Sequence, residues 1–322
     1  MLNMNHRNHS FTLSVIVPVF NEAGNIETLL ARLTQVLHDY HYEILFVDDG
    51  SRDGTVDALK KACATDAHIK LISFTRNFGH QNALSAGYAH AVGDCVVTID
   101  ADLQDPPELI HDMVAAWKNG FDIVYAQRKT RHQDTAFKKM TAWGFYWFIN
   151  KLSETPIPTD VGDYRLLDRS VVTYLNALPE HARFLRGLVS WSGYSTTYVS
   201  FDRSARLKGE THYPFRKMLN FALTGITAFS TKPLRYVVYL GFITAAFGFA
   251  GMIYALIRRI MLPHEFWVTG WTALFVAVMF FSGVQIFILG VIGEYIGKIF
   301  GQVQGRPLYL IKETINLKDS VN

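Results

Sequence analysis

The chain has few cysteines and no surplus of charge of one sign, and its N-terminal end carries no apolar run. Its two cysteines, Cys63 and Cys95, cannot make a disulfide framework, and both fall inside segments patterned as helix or strand. They read as small buried hydrophobes of a reducing compartment. The 31 basic and 28 acidic residues leave a formal charge of only +3, too balanced for a protein that works on phosphate backbones, so no nucleic-acid partner is expected. The polar stretch Met1 to Ser10 has no h-region of a secretory signal, which assigns the first two thirds of the chain to the cytoplasm. None of the 12 histidines shows His-x-x-x-His spacing with a Glu, so a zinc site is not expected.

What the chain does have is apolar residues, 49% against 18% charged, too many for a disordered chain and unusual for a fully soluble one. They are concentrated near the C-terminus. Tyr236 to Ile257 is a run of 22 uncharged residues and Phe266 to Gly293 a run of 28. At about 1.5 Å rise per residue even the shorter reaches roughly 33 Å, enough to cross a hydrocarbon core. Arg216, Lys217, Lys232 and Arg235 precede the first span and Lys298, Arg306 and Lys312 follow the second, against Arg258 and Arg259 between them. That imbalance places both termini in the cytoplasm. Upstream, Met218, Leu219, Ala222, Leu223, Ile226 and Phe229 line one side of a helix near Arg216, Lys217 and Lys232. This reads either as an interfacial helix on an anionic membrane surface or as an amphipathic helix packed on the preceding domain.

From Phe11 to Gln127 short apolar runs alternate with helical periodicity, which predicts βαβ units and a largely parallel sheet. Thr12 to Val19 reads as the first strand. Asn25 to Tyr40 reads as a helix, because Ile26, Leu29, Leu30, Leu33, Val36 and Leu37 lie three and four apart on one face. The cycle repeats through strand Glu43 to Val47, helix Thr55 to Cys63, strand Lys70 to Phe74, helix Gln81 to Ala91 and strand Cys95 to Ile99. A helix from Pro106-Pro107 to Asn119 and a strand Asp122 to Gln127 close the regular part. Arg128 to Ser204 is less periodic, with an aromatic-rich helix expected over Phe137 to Leu152. Ligands of open α/β sheets bind at the carboxyl ends of the strands. Asn21-Glu22, Asp48-Asp49, Arg76-Asn77 and Asp100-Ala101-Asp102 are therefore expected to converge on one edge.

Asp100 and Asp102, at i and i+2 after an apolar strand, can present hard oxygen ligands to Mg²⁺ or Mn²⁺ and through it hold a diphosphate. Taken alone, an Asp-x-Asp triplet also suits an ordinary solvated turn. Asp48-Asp49-Gly50-Ser51 is turn chemistry too, but a turn needs only one Asp. The second carboxylate suits the imide N–H of a pyrimidine or a ribose hydroxyl.

Four ordered motifs say more than any one of them. Val17-Pro18-Val19-Phe20-Asn21-Glu22, Val47-Asp48-Asp49-Gly50-Ser51, Arg76-Asn77-Phe78-Gly79-His80 and Asp100-Ala101-Asp102-Leu103-Gln104-Asp105-Pro106-Pro107-Glu108 closely resemble the family 2, GT-A-fold glycosyltransferases. Within that family the chain resembles the polyisoprenyl-phosphate branch, which includes bactoprenol glucosyltransferases and dolichyl-phosphate mannose synthases. The resemblance runs from about Leu13 to about Arg306. It implies that Asp100, Asp102 and Gln104 surround a divalent metal and the donor diphosphate, with Pro18, Glu22, Asp48 and Asp49 lining the nucleotide pocket. Asp105 is expected to orient the loop. Asp102 and Asp163 are the residues assigned to catalysis, with Asp163 of Gly162-Asp163-Tyr164-Arg165 as base or acceptor-orienting group. Two alternatives stay open for Asp163: a capping Asp in a Gly-Asp turn, and a site-positioning role, since a monoalkyl phosphate is already mostly anionic at neutral pH. Arg128, Arg131 and Lys138, together with Arg203 and Arg206, match basic positions that grip acceptor phosphate. The pattern departs at Thr211-His212-Tyr213, where the family commonly has Ser-Lys-Tyr.

The implied organisation is a polar tail over 1–10, a GT-A domain over 11–204 and a juxtamembrane amphipathic segment over 205–234. Two spans follow within 235–293 (about 236–257 and 267–293), then a cytoplasmic tail over 294–322. The implied activity is inverting transfer of one sugar, glucose from UDP-glucose, to polyprenyl phosphate at the cytoplasmic face of a bacterial inner membrane, for cell-envelope glycan modification. Mannose or an N-acetylhexosamine is the alternative sugar. A noncatalytic nucleotide-sugar binder is the alternative class. Processive relatives carry a Gln-x-x-Arg-Trp motif where this chain has Arg183-Phe184-Leu185-Arg186-Gly187, which disfavours a polymerase. Homo-oligomers and a downstream flippase complete the expected partners.

Overall fold

A computed structural model of the chain describes residues 7, 10–128, 161–181, 183–201, 230–261 and 270–317. They divide between an α/β unit, to which residues from Arg306 onward return, and a helical unit within Phe215–Gly305.

The α/β unit is built on strands β1 (Thr12–Val19), β2 (His41–Asp48), β3 (Ile69–Phe74), β4 (Cys95–Thr98), β5 (Ile123–Arg128), β6 (Val161–Asp168), β7 (Thr196–Phe201) and β8 (Ile311–Ile315). They form one sheet in the order β7-β5-β6-β4-β1-β2-β3-β8. β1 pairs parallel with β2 and with β4, and β2 parallel with β3. β6 runs antiparallel between β4 and β5. The near-continuous apolar runs of β1 and β4 are explained by burial on both faces, as an interior parallel strand requires.

Helices α1 (Ile26–Leu37), α2 (Thr55–Thr65), α3 (His80–His90) and α4 (Ile110–Lys118) cross between these strands. In α1 the buried residues are Ile26, Leu29, Leu33, Val36 and Leu37, five of the six residues that the spacing put on one face; the sixth, Leu30, packs partly buried against the same core. α3 presents small residues to the sheet, and a Cβ on Gly87 would collide with the Ile16 side chain. Helices α5 (Arg169–Ala177) and α6 (Leu185–Trp191) follow β6. Cys63 and Cys95 are buried; burial pushes the Cys63 thiol up to about 11 and Cys95 well above its usual value, which makes both inert.

Two stretches differ from the sequence expectation. Val161–Asp168 is a strand, so Asp163 is not the cap of a Gly-Asp turn. The tail expected over 294–322 is divided between a helix and a strand. The second apolar helix does not stop at Gly293 but runs to Val303, and Gly305 at φ +59° follows it, a glycine stop just past a helix end. The uncharged run marks where lipid-compatible sequence ends, not where helical hydrogen bonding ends. Beyond it Ile311–Ile315 joins the sheet edge as β8. Its alternation is too short to stand out in the sequence.

In the helical unit, α7 (Lys232–Met261) and α8 (Trp271–Val303) contain the two apolar spans, and their large apolar side chains are exposed along most of their length. Both are long and apolar enough to cross a membrane.

Candidate active site

Because β1, β2, β3 and β4 are parallel, Val19, Asp48, Phe74 and Thr98 end on one edge of the sheet. β4 lies on the opposite side of β1 from β2, so a crevice opens there, where strand order reverses. Pro18, Phe20, Glu22, Asp49, His80, Asp100 and Asp102 line it. The expected convergence of the motif residues is therefore met.

Asp48 and Asp49 both sit at this edge, and both are buried with protein donors on their oxygens. Asp48 accepts from Ser51 N at 3.0 Å and from Ser73 Oγ at 2.8 Å. Asp49 accepts from Phe78 N at 2.6 Å and from Gly79 N at 3.0 Å, so it ties the turn after β2 to the loop after β3. Burial pushes the Asp49 carboxyl up, against those two amides. Gly50, at φ +74°, lets the same turn touch the loop: a Cβ there would lie 2.5 Å from the Arg76 carbonyl carbon. Glu22 accepts from Asn25 Nδ2 at 2.6 Å, and its amide donates to Thr55 Oγ1 at 2.9 Å.

The acidic loop after β4 holds Asp100, half-buried, and Asp102, whose Oδ1 accepts from Gln104 N at 3.2 Å. Leu103, between Asp102 and Gln104, has φ +59°, a left-handed backbone that costs a non-glycine residue about 1–2 kcal/mol. Strain of this kind is tolerated where surrounding structure imposes it, commonly at functional loops. Gln104 is buried, and among the described residues its Oε1 has no hydrogen-bond partner. Burial pushes the Asp100 carboxyl up, His80 opposing and Asp163 and Asp102 adding to it; a bound cation reverses that direction. Among the described residues no group of three or more His, Cys, Asp or Glu forms a metal cage. Two carboxylates and an amide oxygen fit instead a Mg²⁺-like ion that keeps substrate phosphates and waters as its other ligands.

Asp163, nearly fully buried on β6, is the most heavily bonded carboxylate of the site. It accepts from Arg165 Nη2 at 2.6 Å, Arg186 Nη2 at 2.8 Å, Arg186 Nε at 3.2 Å and Gln81 Nε2 at 3.5 Å. His80 Nε2 lies 3.4 Å from Asp163 and 3.8 Å from Asp100. Burial alone would push the Asp163 carboxyl up, but His80, Arg186 and Arg165 outweigh it and hold it well below the usual range. Arg165 itself is fully buried. Motif spacing had singled out Asp163, but not its partners His80, Gln81, Arg165 and Arg186. His80 and Arg165 stood inside quoted motifs and could have been found there, and Arg186 stands at the Arg position of the segment set against Gln-x-x-Arg-Trp; Gln81 carried no such signal.

Arg128 ends β5 at the same edge, and a Cβ on Gly162 of β6 would lie 3.6 Å from its Nη2. Arg131, Lys138, Arg203, Arg206, the Thr211-His212-Tyr213 triplet, the expected helix over 137–152 and most of the 205–234 segment lie outside the described residues.

A mostly parallel sheet with an acidic Asp-x-Asp loop at its switch point defines a GT-A glycosyltransferase domain. Residues 14–175 match the model of glycosyl transferase family 2, and residues 232–299 match that of the GtrB C-terminal hairpin. The chain belongs to glycosyl transferase family 2, as its motifs suggested. It is 45% identical over 308 residues to an uncharacterized glycosyltransferase of Synechocystis sp., covering 95% of this chain and 96% of that one. It is 41% identical over 304 residues to the SfII prophage-derived bactoprenol glucosyl transferase of Shigella flexneri, covering 94% and 98%. Among solved structures it is similar to a mannosyltransferase of Pyrobaculum calidifontis in complex with GDP-Man and Mn²⁺, at 17% identity and TM-score 0.48, covering 94% of this chain and 89% of that one.

Proposed function

We propose that the chain transfers one glucosyl residue, with inversion, from UDP-glucose to polyprenyl phosphate at the cytoplasmic face of a bacterial inner membrane. One observation carries this reading: the likeness to a bactoprenol glucosyl transferase extends over both the GT-A domain and the apolar hairpin. A lipid acceptor cannot leave the bilayer cheaply, so a catalytic domain that acts on it gains from a covalent membrane anchor.

In this reading Asp100 and Asp102, with Gln104 beside them, hold Mg²⁺ or Mn²⁺, which stabilises the charge that develops on the departing diphosphate. Pro18, Glu22 and Asp49 border the donor. The acceptor phosphate is already an anion at neutral pH, and Asp163, held ionised by its donors, is a weak base. Asp163 therefore acts as a positioning residue that fixes His80 and Arg186 at the crevice. Arg128, Arg131, Lys138, Arg203 and Arg206 are the acceptor-phosphate residues of this reading.

The test is transfer to undecaprenyl phosphate by full-length protein in detergent, with UDP-glucose and four other nucleotide sugars, with Mg²⁺ or Mn²⁺ and with chelator. The expected result is a single lipid-linked hexose from UDP-glucose that disappears with chelator. No product from any donor, with donor binding intact, would move the assignment to a noncatalytic nucleotide-sugar binder; a polymeric product would move it to a processive synthase. Self-association through the hairpin belongs to the same reading, because Gly241, Gly251, Gly283 and Gly290 have no atom within 4 Å of an added Cβ, leaving room for close helix approach. Crosslinking in membranes that yields only monomer would overturn it. A flippase would have to act next on a product made at the cytoplasmic face.

A further inference from the structure

Strand β8 is the piece of the α/β unit that the chain adds only after the apolar hairpin. It pairs with β3 as Leu71 with Ile315, Ile72 with Thr314, Ser73 with Glu313 and Phe74 with Ile311. That register skips Lys312. It is the extra residue of a β-bulge, a device that leaves one residue unpaired and re-aims its side chain. The bulge is pinned on both sides: Thr75 N donates to Leu310 O at 3.0 Å, and Tyr309 stacks on Phe74 with centroids 4.9 Å apart. The next residue, Glu313, turns to α2 and pairs with Lys60 at 2.8 Å. Lys312 instead lines a second cleft, together with Arg52, Arg76, Asp48 and Phe20. Phe20 also borders the first crevice, so the two are adjacent along the strand ends.

Asp48, which the family resemblance puts in the nucleotide pocket, lines this cleft; we infer that Lys312, delivered by the strand after the membrane hairpin, donates to the carbonyl oxygen at position 4 of a pyrimidine base held there. The inference rests on the donor reading proposed above. Asp48 and Asp49, which the motifs offered to the base, accept from Ser51, Ser73, Phe78 and Gly79, and as carboxylates they can only accept, so a carbonyl of the base needs another partner. The charged donors around the second cleft are Arg52, Arg76 and Lys312. Arg76 is partly engaged, with its guanidinium 4.1 Å from the Phe78 ring centroid and Nη1 donating to Asn77 O. A base with a carbonyl oxygen at position 4 offers that ammonium an acceptor, whereas cytosine offers an amino donor there. Lys312 therefore favours a uracil nucleotide over a cytosine one.

The test is calorimetric titration of the full-length, detergent-solubilised protein with UDP and with CDP, for wild type, Lys312→Met, Lys312→Arg and Lys60→Met. Loss of one charge-assisted hydrogen bond is expected to weaken UDP about tenfold in Lys312→Met and CDP by less than about twofold, with Lys312→Arg retaining most of the affinity. Lys60→Met loosens the same strand from α2 without touching the cleft and is expected to bind UDP as wild type does. UDP affinity unchanged in Lys312→Met, equal losses for UDP and CDP, or an equal loss in Lys60→Met would each overturn the inference. Wild type that binds no UDP would instead overturn the donor reading beneath it.

Discussion

Asp163 receives five N–H groups, from Arg165, Arg186, Gln81 and His80, against about four lone-pair sites on a carboxylate. A group so occupied has no oxygen to spare for a substrate proton. Its folded value lies well below the usual carboxylate range, so the stability it contributes is complete above about pH 4 and is lost as pH falls through the depressed value. Asp163→Asn keeps the shape but leaves the fully buried Arg165 without its countercharge, a change that costs roughly 3 kcal/mol in buried pairs. Thermal unfolding is expected to show a melting temperature several degrees lower than wild type at pH 7, the gap narrowing only as pH falls below about 4. The wild-type pH–rate profile is expected to have no limb from Asp163 at or above about pH 5; such a limb, removed by Asp163→Asn, would restore the role of base.

At the scale of elements, the site depends on two turns held against each other. The turn after β2 and the loop after β3 touch at Gly50, where a Cβ would meet Arg76 and Asn77 backbone within 2.8 Å, and Asp49 ties them by hydrogen bonds. Gly50→Ala adds that collision to an unfavourable φ of +74°. It is expected to lower stability by about 2 kcal/mol and raise the donor KM severalfold. Gly24→Ala is the contrast, since nothing lies within 4 Å of its added Cβ; chemical denaturation is expected to find it within about 0.5 kcal/mol of wild type. A Gly50→Ala protein with wild-type KM would show that the two turns move independently.

For the whole molecule, the order of the chain is the informative feature. The sheet takes seven strands before the hairpin and an eighth after it. If α7 and α8 both cross the bilayer, the strand that returns to the sheet emerges on the side where the sheet lies. The excess of Lys and Arg on the outer flanks points the same way. Protease added to spheroplasts is expected to cleave neither an N-terminal nor a C-terminal tag, and lysis to expose both; cleavage of one tag alone before lysis would contradict the two-span topology, and cleavage of both would reverse its orientation.

The sequence by itself determined the βαβ order through Gln127, the edge on which the acidic and basic motifs meet, and the two apolar spans. These follow from periodicity, because burying one face of a helix or both faces of a strand leaves its mark locally, residue by residue. Thr12–Val19 was legible for that reason. β6 was not, since Val161–Asp168 contains a glycine, two aspartates and a fully buried arginine, a pattern no strand rule selects. Only the tertiary structure decided what each charged group faces. Asp48 and Asp49 carry turns through Ser73 and Phe78, Asp163 serves Arg165, Arg186 and His80, and Lys312 leaves the apparent tail for a cleft. Apart from Arg165, these partners lie 23 to 83 residues away in the chain, and such pairings leave no periodic trace in the residues between them.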